Sequence, residues 1–145
     1  MDATQKPLTI VIYSDDKTVR SHITAALGSR VAPDLAPHRI VECATGPALR
    51  LYVDGRARTG DIDIDIDLFI LDAEAAPEGG MGIARQLKDE VFNCPPVLLL
   101  TARKEDAWLA TWSRAEANVL HPIDPFTLAE TVADLLRTSI ARVKA

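Results

Sequence analysis

Asp72 stands directly after four large apolar residues, Leu68-Phe69-Ile70-Leu71, and before a stretch broken by Pro77, Gly79, Gly80 and Gly82. Two more carboxylates, Asp15 and Asp16, follow the β-branched run Leu8 to Tyr13 by way of Ser14. Thr101 closes the apolar run Val97 to Leu100, and His121-Pro122 closes the short run Ala117 to Leu120. If these runs are neighbouring strands, their ends bring three carboxylates within a few ångströms of one another. Such a group repels itself, so one member holds a proton or a cation neutralises the set. Hard oxygen donors with room left for water suit Mg²⁺. An aspartate beside that ion can attack a phosphoryl group and form an acyl phosphate, because the metal offsets charge on the transferring oxygens. The Thr101 hydroxyl would then donate to the phosphoryl group.

The elements that must position these residues alternate in type. Four apolar residues in a row read as a short strand buried on both faces, which fits Leu68–Leu71 and Val97–Leu100. Leu8–Tyr13, His38–Ala44 and Ala117–Leu120 complete five strands. Val19, Ile23, Ala26 and Leu27 recur at helical spacing, and Gly28 stops that helix. Gly46-Pro47 opens a second helix, with Pro47 suited to its first turn and Leu49 and Val53 on its apolar face. Ile83 to Val91 forms a third. Ala107, Trp108, Thr111, Trp112 and Ala115 line a fourth, and Leu128, Val132, Leu135, Leu136, Ile140 and Val143 trace the stripe of a fifth. Five strand–helix units imply an α/β fold: a parallel sheet with right-handed crossovers and helices on both faces. The first strand is not followed by Gly-x-Gly-x-x-Gly, which disfavours a dinucleotide site, and a flavodoxin-like three-layer sandwich with strand order 2-1-3-4-5 fits best. In that order the first and third strands are neighbours, and ligands gather beyond their carboxyl ends.

Composition narrows the class. The chain of 145 residues is expected to form one domain, residues 1–145, with 1–7 a flexible leader. A net charge of −5 argues against a nucleic-acid footprint, and Arg137, Arg142 and Lys144 are too thin a scatter to make one. No apolar run reaches membrane-spanning length and the N-terminus is unlike a signal peptide, so no membrane partner is expected and the cytoplasm is the default location. Cys43 and Cys94 form neither a Cys-x-x-Cys pair nor a metal cluster and read as small hydrophobes. The repeat Asp61-Ile62-Asp63-Ile64-Asp65-Ile66-Asp67 lacks the internal Gly and closing Glu of a calcium loop. It reads as an exposed lead-in to the third strand.

These residues together resemble a response-regulator receiver domain from Leu8 to about Arg142. The resemblance implies that Asp72 is the phosphoacceptor, Asp16 a direct Mg²⁺ ligand, and Asp15 a ligand acting mainly through water. It adds the backbone carbonyl of Glu74 to the metal set and places Thr101 and His121 at the phosphoryl group. A histidine kinase would be the phosphodonor, and the protein would be a signalling module and not an enzyme. Because the last helix runs almost to the C-terminus, a stand-alone receiver is expected. Its signal would then pass to a downstream protein, or through a homodimer, by the surface around the fourth helix, fifth strand and fifth helix. Trp108 and Trp112, one turn apart, would mark that surface if both are exposed.

The sequence departs from the receiver pattern at three places. His121 stands where receivers usually carry Lys, and a neutral imidazole supplies a donor but little charge. Asn118 stands at the switch position usually held by Tyr or Phe, and the loop after Asp72 is longer. These departures motivate a second reading, a pseudo-receiver that binds partners without phosphorylation. A third reading rests on Leu71-Asp72-Ala73-Glu74, which resembles the Asp-x-Asp of haloacid-dehalogenase-like phosphatases. That motif normally follows the first strand and has Asp where this chain has Glu74. A flavin carrier is disfavoured, because no Ser/Thr/Gly-rich phosphate loop follows the first strand. Each residue also has a local role open to it: Asp15, Asp16 or Thr101 as a helix cap, His121 as a loop residue beside a cis or trans prolyl bond.

Overall fold

The computed structural model describes residues 6–57 and 65–144. The apolar runs become the strands β1 (Leu8–Tyr13), β2 (His38–Cys43), β3 (Leu68–Asp72), β4 (Val97–Thr101) and β5 (Ala117–Leu120). They pair in parallel in the order β2-β1-β3-β4-β5, as expected. Between them lie the helices α1 (Lys17–Leu27), α2 (Gly46–Ala57), α3 (Gly80–Glu90) and α4 (Ala107–Trp112), and α5 (Pro125–Lys144) closes the chain.

Strand alternation sorts the core into two layers. Val11, Tyr13, Phe69, Leu71, Val97 and Leu99 pack with Leu49 and Val53 of α2, Ile83, Ala84 and Leu87 of α3, and Ala110 of α4. Ile10, Ile12, Leu68, Ile70, Leu98 and Leu100 pack with Ile23 and Leu27 of α1 and Leu128, Val132 and Leu136 of α5. Every residue of β3 and β4 is buried, as the unbroken apolar runs demand. Burying one such side chain contributes about 1.5–3 kcal/mol, so these two strands fix where Asp72 and Thr101 end up.

Several boundaries differ from the sequence reading. The third helix starts at Gly80, three residues before Ile83, because Gly79 in extended conformation caps it and Gly80 lies against the backbone of Asp72. A Cβ on Gly80 would stand 2.9 Å from the Asp72 carbonyl oxygen, closer than real contacts allow. The fourth helix is shorter than Ala107–Ala115 suggests. It is preceded by a 3₁₀ turn at Lys104–Asp106 and ends at Trp112, capped by Ser113, whose hydroxyl donates to the Ala110 carbonyl at 2.6 Å. The first helix stops at Gly28, which takes φ +57°, a left-handed conformation that costs glycine nothing.

The acidic repeat is only partly within the described residues, as 61–64 and the start of the leader, 1–5, lie outside them. Its remainder corrects the expectation of an exposed lead-in: Ile66 is buried, and Asp67 accepts the Thr9 backbone N–H at 2.8 Å. The cysteines are both free, Cys43 buried and Cys94 half-buried.

Candidate functional site

The site is built at the carboxyl ends of β1, β3, β4 and β5. Parallel pairing sets Ile12 beside Ile70 and Tyr13 beside Leu71, so the residues that follow these two strands leave the sheet side by side. The residue that reaches Asp72 from the end of β1 is Ser14, which directly follows the strand. It is fully buried, and its hydroxyl donates to Asp72 Oδ2 at 2.8 Å while accepting the Asp16 N–H at 3.1 Å. Asp72, 3% exposed, is bonded on its other side as well: Oδ1 accepts the Glu74 N–H at 3.0 Å, and His121 Nε2 lies 3.1 Å from the same oxygen. His121 is placed by its own N–H, which donates to the Thr101 carbonyl at 2.8 Å, and by a cis bond to Pro122.

Thr101 and Asn118 form a second unit. The Thr101 hydroxyl donates to Asn118 Oδ1 at 2.8 Å, across the β4–β5 pair. Thr101 thus has a partner in the protein and is no helix cap.

The loop after Asp72 is tied down from two sides. The Tyr13 hydroxyl donates to the Glu78 carbonyl at 2.6 Å, and Arg50 on α2 forks onto the Glu78 carboxylate while its Nε donates to Gln86 at 3.1 Å. Burial pushes the Tyr13 phenol up, and the carboxylates of Glu78, Asp15 and Asp72 push it further. The Arg50 fork holds the Glu78 carboxyl below the usual range.

The two acids that follow β1 lie at the surface. Asp16 caps α1, its carboxylate accepting the Thr18 N–H at 2.8 Å, and both Asp15 and Asp16 are exposed. Among the described residues, no group of three or more His, Cys, Asp or Glu side chains stands close enough to hold a metal ion. The expected gathering of Asp15, Asp16 and Asp72 is therefore not formed. The physical reason is local: the Ser14 hydroxyl covers Asp72 Oδ2, and the helix start engages Oδ1 of Asp16. The donor types suit a hard cation, and Asp15 stands at the same end of the sheet as Asp72 and the Glu74 backbone.

Trp108 and Trp112 are exposed by 67% and 48%, and the Arg85 guanidinium stacks 4.5 Å from the Trp112 ring. Sequence reasoning missed Ser14 and the Tyr13–Glu78–Arg50 tie. The available signal was a small polar residue between a strand and an acid pair, at a place that pairing with the next strand would cover.

Two relatives decide the family. The chain is 54% identical over 130 residues to the response regulatory proteins of two Mycobacterium tuberculosis strains, CDC 1551 / Oshkosh and H37Rv, covering 90% of itself and 92% of each. This protein belongs to the response-regulator family. Solved structures agree on the fold of a receiver domain. The receiver domain of an HD domain-containing protein from Pseudomonas fluorescens superposes with TM-score 0.76 at 13% identity, over 99% of this chain and 97% of that one. The BeF3-activated DrrB receiver domain, DrrB being a Thermotoga maritima protein, does so with TM-score 0.70 at 20% identity, over 91% and 99%. No family model matches the chain. In this response regulator, then, the receiver fold presents Asp72 at its switch point with Ser14, Glu74 N–H and His121 around it. No helix among the described residues is long and apolar enough to cross a membrane.

Proposed function

We propose that this receiver accepts a phosphoryl group on Asp72 and signals through protein contacts, without turnover of a substrate of its own. The supporting observation is the placement of Asp72 at the end of β3, with one protein donor on each carboxylate oxygen and His121 beside Oδ1. With a phosphohistidine of a kinase as donor, a carboxylate oxygen attacks phosphorus, the P–N bond breaks, and the imidazole leaves with the bonding pair and takes up a proton. The product is an acyl phosphate. His121, whose side chain is 22% exposed, is the side chain on Asp72 that an incoming group can push aside; Ser14 is fully buried. Mg²⁺ enters as the ion expected of the family. Asp15, Asp16, whose cap bond engages one oxygen, Asp72 and the Glu74 carbonyl are the oxygen donors assigned to it.

Output through a downstream protein or a second copy is assigned to the face carrying Trp108 and Trp112, with the cytoplasm as the site of action. The test is intact-mass measurement after acetyl phosphate treatment with and without Mg²⁺. One added phosphate on the parent and none on Asp72→Asn is expected; an unmodified parent would reject the reading.

A second reading, a pseudo-receiver working without phosphorylation, is favoured by the closed bonds of the site. Ser14 covers one oxygen of Asp72, and Asn118 takes the Thr101 hydroxyl. It requires partner binding that neither beryllofluoride nor Asp72→Asn alters, and a changed affinity in a binding titration rules it out.

A further inference from the structure

Asp72 is a buried carboxylate with a protein donor on each oxygen, and a buried acid needs such partners. The arrangement is directional. Ser14 Oγ accepts the Asp16 N–H, which leaves its own proton to point at Asp72 Oδ2 at 2.8 Å. The Ser14 carbonyl is in turn held by Arg20 Nη1 at 2.7 Å, and Arg20 Nε donates to Glu42 at 3.1 Å. The serine is thus fixed at its backbone and its side chain, and has little freedom to turn its proton elsewhere. On the far side the Glu74 N–H fixes Oδ1, so the plane of the carboxylate is set from both ends.

We propose that Ser14 is a positioning residue that holds Asp72 in a cation-independent orientation, and that a divalent ion must displace its proton to reach Oδ2. The consequence is a rim tuned against metal. Asp15, exposed at the same end of the sheet, supplies a second carboxylate, yet the oxygen of Asp72 nearest β1 is already covered by a neutral donor. This rests on Asp72 being the working residue of the site, as proposed above, but concerns metal affinity and not phosphate transfer.

A Mg²⁺ titration followed by ¹H–¹⁵N NMR, reading the Glu74 amide, tests it. A hydrogen bond to a charged group is worth about a factor of ten or more in an equilibrium constant. Ser14→Ala should therefore bind Mg²⁺ about tenfold tighter than the parent, Ser14→Asp tighter still, and Ser14→Thr, which keeps the hydroxyl, like the parent. In an Asp72→Asn background the Ser14→Ala effect should vanish. Equal affinities for parent and Ser14→Ala overturn the proposal, as does an effect that survives Asp72→Asn, or no binding to any variant. Ser14→Thr guards against a variant that merely misfolds. Acetyl-phosphate labelling of the same samples is read separately, so failure of phosphorylation leaves the affinity ranking to stand or fall by itself.

Discussion

Asn118 accepts the Thr101 hydroxyl at 2.8 Å, so the carboxyl end of β4, next to Asp72, is joined to β5 by a side-chain bond. Thr101 is fully buried and Asn118 half-buried. An aromatic residue at 118 could not accept this bond in the same plane as an amide does. In this receiver the link between β4 and β5 is polar.

Asn118→Ala should leave the buried Thr101 hydroxyl without this acceptor. A lost hydrogen bond of this kind costs about 1–2 kcal/mol, which lowers the melting temperature by a few degrees in a chain of this size. Thr101→Val with Asn118→Ala should cost less than the sum of the single changes, since both partners then leave together. Thermal melts of the four proteins check this; strict additivity would show that the bond carries no coupling.

Arg50→Ala should loosen the loop after Asp72 without unfolding the protein. The Arg50–Glu78 pair is partly exposed and screened, so its loss should lower stability only slightly. The Tyr13 hydroxyl still holds the Glu78 carbonyl. Hydrogen exchange should quicken at 73–79 and stay unchanged in β3 and β4.

Asp67 gives a pH dependence opposite to that of a paired surface acid. Burial is the main cause that raises its carboxyl above the ordinary value of 3.8, against the Thr9 N–H that lowers it. A carboxyl raised in the folded state contributes stability below its unfolded pKa, and that contribution is lost as pH rises through the folded value. Asp67→Asn, whose amide oxygen can still accept the Thr9 N–H, should therefore gain stability relative to the parent at pH 7 and gain little at pH 3. Urea midpoints at the two pH values measure the difference. A larger gain at pH 3 would contradict the sign.

Cys94 should be slow to alkylate in the folded protein. Burial pushes its thiol up to about 11, so at pH 8 about a thousandth is thiolate. Iodoacetamide labelling followed by mass should be slow for folded protein and rapid in urea, and Cys43, also raised by burial, should behave likewise.

Much of the architecture was determined by the sequence itself. Leu68–Leu71 and Val97–Leu100 announce strands with no polar face, and only a sheet covered on both sides accommodates them. The alternation of strands with stripes such as Leu128, Val132 and Leu136 then sets the layers, because the two periods, 2 and 3.6, are properties of neighbouring residues. Asp72 could be singled out for the same reason: it is the acid that ends a fully buried strand.

The contacts around Asp72 were decided by tertiary structure alone. Nothing local says that Ser14, and not Asp15 or Asp16, meets Asp72 Oδ2; that follows from the β1–β3 register and from α1 beginning at Lys17, which turns Asp16 toward Thr18. The approach of Gly80 to the Asp72 carbonyl and the Arg50–Glu78 fork likewise join residues from separate elements. Hydrogen bonds are won or lost over a few tenths of an ångström. A pattern of residue types carries no distances that fine, and only the packed sheet supplies them.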